Sequence, residues 1–147
     1  MSKGKVIDTP KFCDTKGEWR CSWYFLESPA WNSLTKKEQQ VFLYLYSCLM
    51  WKKIKKKDRH YIAVNNGEIE VSFPKISEKI KMTNKTYTKA VKKLITVGLI
   101  KLTRVGQNKQ CHMFKILFGN AVTFPNEERW KRYPEESWED ECPESPN

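Results

Sequence analysis

No stretch of this 147-residue chain approaches the ~20 consecutive apolar residues that a membrane-spanning helix requires. The opening run MSKGKVIDTPKF has no apolar segment of the kind a secretion signal carries, so a cytoplasmic location is expected. Glycine is scarce, six in all, and none falls in a phosphate-cradling loop pattern. Histidine is scarcer still: His60 and His112 are the two present. No G-x-S-x-G occurs, and neither histidine stands beside a nucleophile that a fold would activate. Cys111 and His112 are neighbours, but successive side chains of a strand point to opposite faces, so they do not form a pair. Metal nucleases need clustered carboxylates, and the acids of the first 125 residues are scattered. These absences argue against an enzyme and imply no cofactor.

Paired cysteine spacing is also missing. Cys13, Cys21, Cys48, Cys111 and Cys142 are odd in number, with no C-x-x-C, so a structural zinc site is not expected. A Cys13–Cys21 bridge is geometrically conceivable, but buried or idle thiols in a reducing compartment are the simpler expectation.

What the chain does have is charge, unevenly placed. Residues 1–125 hold 24 bases and nine acids, net +15; residues 126–147 hold eight acids and three bases, net −5. A body this basic attracts polyanions, nucleic acid first and anionic membrane second. Hydrophobic residues make up 39% and aromatics 13%, enough for one domain with a real core.

Periodicity places the elements. In SPAW, Ser28 can cap and Pro29 can take the first helical position. Thr35-x-x-Glu38 is a capping box, and Val41, Phe42, Leu45, Cys48 and Leu49 share one helical face, predicting a helix over about 35–54. Its end runs into KKIKKKDR, where lysines suit the negative pole of a helix. Asn66-Gly67 between two β-rich runs signals a hairpin, or at least a strand at 68–72. FPKISEKIK predicts a helix at 74–81. Tyr87, Ala90, Val91, Leu94 and Ile95 then share a face of a helix at 84–97, with Thr83 as cap and Gly98 as stop. LIKLTRV and CHMFKILF read as two strands around a polar tip, with Ile100, Leu102, Phe114, Ile116 and Phe118 facing inward. Residues 126–147, rich in acid and proline, should be mostly loose, with Trp130, Tyr133 and Trp138 as possible anchors.

Helix, strand, helix, helix and hairpin, with SPAW, NNGEI and TNKTYTKAVKKLITVGLI as its most specific pieces, resembles the winged helix-turn-helix DNA-binding family. Within it the chain looks like small phage, plasmid and mobile-element replication proteins and MarR-type regulators. The resemblance spans about residues 26–118. It implies an α+β fold with a three-helix core and a β-hairpin wing. The chain would divide into an N-terminal extension (1–27), the winged helix domain (28–120) and an acidic aromatic tail (121–147).

The resemblance implies a recognition helix at 84–97, and a helical wheel agrees with it. Opposite the apolar face stand Lys85, Lys89, Lys92 and Thr96, flanked by Thr86, Thr88 and Lys93, with no acid from Asn84 to Gly98. In a major groove Asn84 suits adenine, Lys85 and Lys89 suit guanine, and the threonines suit either polar edges or a thymine methyl. Lys92 and Lys93 suit phosphate. The wing would contribute Arg104, Gln107, Asn108 and Lys109. Lys36, Lys37, Lys52, Lys53, Lys55, Lys56, Lys57 and Arg59 are further phosphate candidates.

Three readings follow. The first is sequence-preferring binding of double-stranded DNA, as a transcriptional regulator or a replication accessory of a mobile element. The second is RNA or single-strand binding, which calls for aromatics on an exposed strand. The third is a protein-interaction module. A homodimer on an inverted repeat is one arrangement of the first. The tail is open to two roles, folding back over the basic face or recruiting a protein partner.

Overall fold

Each of the five α-helices among the described residues begins on a serine or threonine. A computed structural model describes residues 21–53, 61–106, 110–119 and 127–143, without the side chains of Lys53 and Tyr61. The helices are α1 (Trp23–Leu26), α2 (Pro29–Asn32), α3 (Lys36–Ser47), α4 (Phe73–Ser77) and α5 (Asn84–Val97). Ser22, Ser28, Thr35, Ser72 and Thr83 accept from the backbone N–H three residues on. Such a cap is worth about 1 kcal/mol. At Thr35 the capping box is complete, because Glu38 accepts the Thr35 N–H at 2.8 Å in return.

α3 is shorter than its periodicity predicts. It stops at Ser47, not near residue 54, and no basic residue lies in its last turn. The cause is distant in sequence. The Asn65 side chain donates to the Cys48 carbonyl (3.0 Å) and accepts the Met50 N–H (2.7 Å), taking up groups that a longer helix would use. Beyond this clamp the chain extends as β1 (Trp51–Lys53), which pairs antiparallel with β2 (Tyr61–Ala63). Trp51 is buried there, so Lys52 and Lys53 lie on a strand instead of at a helix terminus.

The Asn-Gly signal marks a turn, but the strands it joins do not pair with each other. Glu68 N–H returns to the Asn65 carbonyl at 2.9 Å, and Gly67 has φ 101°. β3 (Ile69–Glu70) leaves this turn to pair with β5 (Met113–Ile116), which also pairs with β4 (Ile100–Arg104). The three-stranded order is β3-β5-β4. Asn66 extends the ladder with its side chain, accepting the Ile116 N–H (2.7 Å) and donating to the Ile116 carbonyl (3.0 Å).

α4 also differs from the expected 74–81. Ser72 starts it at Phe73, and after Ser77 only a tightened turn continues, with Lys79 and Ile80 N–H both bonded to the Ile76 carbonyl. The link to α5 is therefore six residues, 78–83, longer than the expected bounds of 74–81 and 84–97 leave.

α5 has the predicted bounds. Gly98 follows with φ 89°, its N–H on Ile95 O (3.1 Å) and the Leu99 N–H on Leu94 O (3.0 Å), a Schellman closure. Ala90, Val91, Leu94, Ile95 and Val97 are buried against Val41, Phe42, Leu45, Ile76, Ile100 and Phe114 in one core cluster. At about 25 cal/mol per Å² of apolar surface, each large buried side chain contributes about 1.5–3 kcal/mol.

The aromatic end of that core draws in both chain flanks. Phe25 is fully buried, with ring centroids of Phe118 at 4.3 Å, Trp31 at 5.0 Å and Trp130 at 5.0 Å. The tail, expected to be mostly loose, is built onto the body over residues 127–143. Trp130 is buried in a 3-10 turn at Arg129–Arg132, and a second such turn covers Glu139–Glu141. Its composition pointed to disorder, but the burial of Trp130 outweighs that tendency.

Candidate nucleic-acid interface

α5 carries its two faces as the wheel predicts, but the outward face is divided along its length. In the first two turns, Asn84, Lys85 and Lys89 are exposed and Thr86 and Thr88 half-buried. Asn84, Lys85, Thr88, Lys89 and Lys92 line one side of an open depression of about 390 Å³. Lys85, Lys89 and Lys92 form no ion pair among the described residues, and α5 carries no acid to neutralise them. At 1.5 Å per residue the three ammonium-bearing positions span about 10 Å of helix axis. Four backbone N–H groups also open at this end; the Thr83 hydroxyl takes one of them, Thr86 N–H, at 3.1 Å.

Inward, Tyr87 steadies the same turns. Its ring lies 5.9 Å from Phe73, and its hydroxyl donates to the Val71 carbonyl at 3.4 Å. Burial pushes that phenol well above its ordinary pKa, with Cys111, Cys48 and Tyr44 adding smaller increments, so it remains a donor.

The last two turns are occupied. Trp138 N–H donates to the Thr96 carbonyl at 3.1 Å, and the Cys142 thiol donates to the Lys92 carbonyl at 3.3 Å, 3.7 Å from the Thr96 hydroxyl. Burial raises the Cys142 pKa, which keeps the thiol protonated for that bond. Lys93 lies over the Tyr133 ring at 5.7 Å, with its ammonium 3.5 Å from the Tyr133 hydroxyl. Lys93 is thus turned to the tail, while Lys92 borders the open half. Sequence reasoning offered Trp138 as a tail anchor and the basic face as one place for the tail to fold back, but it missed Cys142 as a partner of α5.

Arg104 sits at the base of the β4–β5 hairpin. A bulge between Leu102 and Arg104 sets Arg104 opposite Met113, and Met113 also pairs with Glu70. The three residues form a row across the sheet, and Arg104 closes it with an ion pair to Glu70 and a bond to the Cys111 carbonyl at 2.8 Å. Its guanidinium braces the hairpin. Higher up, Gly106 N–H donates to His112 Nδ1 at 2.8 Å. A Cβ at Gly106 would stand 2.4 Å from the Gln110 carbonyl oxygen, so the neck accepts only glycine. Gln107, Asn108 and Lys109 lie outside the described residues, as do Lys55, Lys56, Lys57 and Arg59.

Of the remaining phosphate candidates, Lys36 is exposed and Lys37 half-buried in the first turn of α3, and Lys52 is half-buried on β1. Cys21, Cys48, Cys111 and Cys142 are free thiols. Among the described residues no group of three His, Cys, Asp or Glu is placed to hold a metal ion. No helix among them is long and apolar enough to cross a membrane. Comparison with protein-family models, curated proteins and solved structures finds no match to this chain.

Proposed function

We propose that this protein is a winged helix-turn-helix module that binds double-stranded DNA, with α5 as the recognition helix. In this reading α3, α4 and α5 are the three-helix core. The β4–β5 hairpin is the wing, and β3 ties the strand between the first two core helices to it. The observation that carries the reading is the open N-terminal half of α5, where Asn84, Lys85 and Lys89 are exposed, uncompensated by any acid on the helix and free of ion pairs among the described residues. A helix about 10–12 Å across fits a major groove about 12 Å wide. Asn84 then meets adenine, Lys85 and Lys89 meet guanine edges or phosphate, and the wing beyond Arg104 follows the adjacent backbone.

Such a protein would be cytoplasmic and non-catalytic. It would serve transcription regulation or replication of a mobile element, as monomer or homodimer. The test is fluorescence anisotropy with a random-sequence duplex at 50 mM salt, followed by selection from a duplex pool. Changing Lys85 and Lys89 together to alanine should weaken binding about 10-fold or more and lower the salt slope by about 2, with thermal stability unchanged because both side chains are exposed. Equal affinity of parent and variant removes α5 from the interface.

One observation favours a second reading, single-strand binding. Trp23 and Tyr24 are 74% and 61% exposed, available for base stacking. They are consecutive residues of a one-turn helix and do not form a platform along a strand, so the duplex reading has the stronger support. Competition of an unlabelled single strand against the bound duplex separates the two.

A further inference from the structure

The tail's contact with α5 has a consequence for any polyanion on that helix. Trp138 and Cys142 fasten the chain at Thr96 and Lys92, so the 3-10 turn Glu139–Glu141 between them is held beside the C-terminal half of the basic face. The tail's other acids are largely spent on pairs elsewhere. Glu141 bonds Arg129 at 2.9 Å, Glu136 bonds Arg132 at 3.0 Å, Glu128 bonds Lys131 at 3.1 Å and Glu127 bonds Lys115 at 2.7 Å. Arg129 and Arg132 also lie over the Trp138 ring, at 5.3 and 5.5 Å, which locks the turn from behind. Glu135, Glu139 and Asp140 are exposed and form no ion pair among the described residues, and of the three Glu139 and Asp140 stand in the turn held beside α5. None of the tail's ion pairs there joins an acid to a lysine of α5.

We infer that this turn is an electrostatic fence, a built-in autoinhibitory contact that confines a nucleic-acid backbone to the first two turns of α5 and suppresses non-specific binding. The inference rests on the duplex-binding reading above. Its physics is simple. A phosphate backbone laid along the whole helix would bring its charges beside Glu139 and Asp140, which stand on a tethered turn and have no ion-pair partner among the described residues. Entry by the N-terminal half avoids that repulsion and keeps Asn84, Lys85 and Lys89 in reach. A correct site gains base contacts only in this pose, whereas non-specific binding relies on phosphate contacts wherever they occur and loses more. The fence therefore favours sequence discrimination at the expense of affinity.

The test keeps the full chain, since truncation before Trp130 would open the core. Glu139→Gln with Asp140→Asn removes two charges and preserves shape. Glu27→Gln with Glu68→Gln makes the same change in net charge at two exposed acids, one in the α1–α2 link and one in the turn before β3. Against a random duplex at 50 mM salt, the tail variant should bind about 3- to 10-fold tighter than the parent and the control variant less than 2-fold tighter, with the difference gone by about 300 mM as screening shortens to a few ångströms. Equal tightening in both variants, or none in the tail variant while the parent binds, overturns the fence and leaves the duplex reading standing. No binding by any of the three at 50 mM overturns the duplex reading, and the fence with it.

Discussion

Gly98 and Arg129 approach so closely that a Cβ on the glycine would lie 2.5 Å from the arginine Cβ, and 2.9 Å from the carbonyl carbon of Arg129 and the amide nitrogen of Trp130. The glycine that ends α5 is also the groove through which the tail passes. Its φ of 89° alone favours glycine. The second demand is steric, and backbone atoms make it, so no side-chain rotation relieves it. Gly98→Ala should cost about 3 kcal/mol of stability, more than the 1–2 kcal/mol of a left-handed alanine alone. Urea denaturation measures the total. A loss near 1 kcal/mol would mean that the tail simply lifts away, and protease cleavage near Arg129–Arg132 at native temperature would then rise.

How much of this was legible in the residues depends on how local the causes are. α5 was readable to the residue because its cap, period and stop lie within 16 consecutive positions. The end of α3 was not, because Asn65, 17 residues after Cys48, decides it. Asn66-Gly67 announced a turn correctly, yet the partner of β3 is set by Phe114 and Met113 across the sheet. The tail shows the same limit. Proline and acid content describe the average behaviour of such a segment, whereas Trp130 finds a site made by Phe25 and Phe118 from distant parts of the chain. On the candidate interface, the basic stripe was visible, but its division into an open and a covered half depends on contacts between residues 46 and 50 positions apart.

His112 makes the hairpin neck sensitive to acid. Its Nδ1 accepts the Gly106 N–H, which only the neutral ring can do. Burial lowers its pKa below the ordinary 6.5, so the folded state resists protonation that the unfolded chain accepts. The stabilisation is present above pH 6.5 and is lost as pH falls through the folded-state pKa, because the unfolded chain then binds more protons. The melting temperature should fall between pH 7 and pH 5 more steeply in the parent than in His112→Asn, whose amide oxygen keeps an acceptor and does not titrate. Parallel curves for the two proteins would show that this hydrogen bond carries no pH dependence. Amide exchange at Gly106, faster in the parent at pH 5, gives an independent reading at the site.

Arg104 tests whether a basic residue at the base of the hairpin acts through its charge or through its shape. It has two partners in fixed positions, Glu70 and the Cys111 carbonyl, and its Nε is buried without a partner. Both bonds leave one nitrogen, Nη2, whose two in-plane N–H groups have fixed directions; lysine supplies the charge but not that pre-set geometry. If Arg104 contacts phosphate only, Arg104→Lys keeps most of the affinity and Arg104→Ala loses it, with the salt slope falling by about 1. The geometry favours the other outcome. Both variants should lose stability, by about 1–2 kcal/mol, since the pair with Glu70 is part-exposed and screened while the carbonyl bond is charge-assisted. Both should weaken duplex binding by a similar factor with the salt slope unchanged, because what is lost is the placement of the hairpin and not a counterion-releasing contact. Glu70→Gln is the deciding variant. On the proposed duplex-binding reading, removing an acid predicts tighter binding if the role is purely electrostatic, whereas a brace predicts weaker binding and a lower melting temperature.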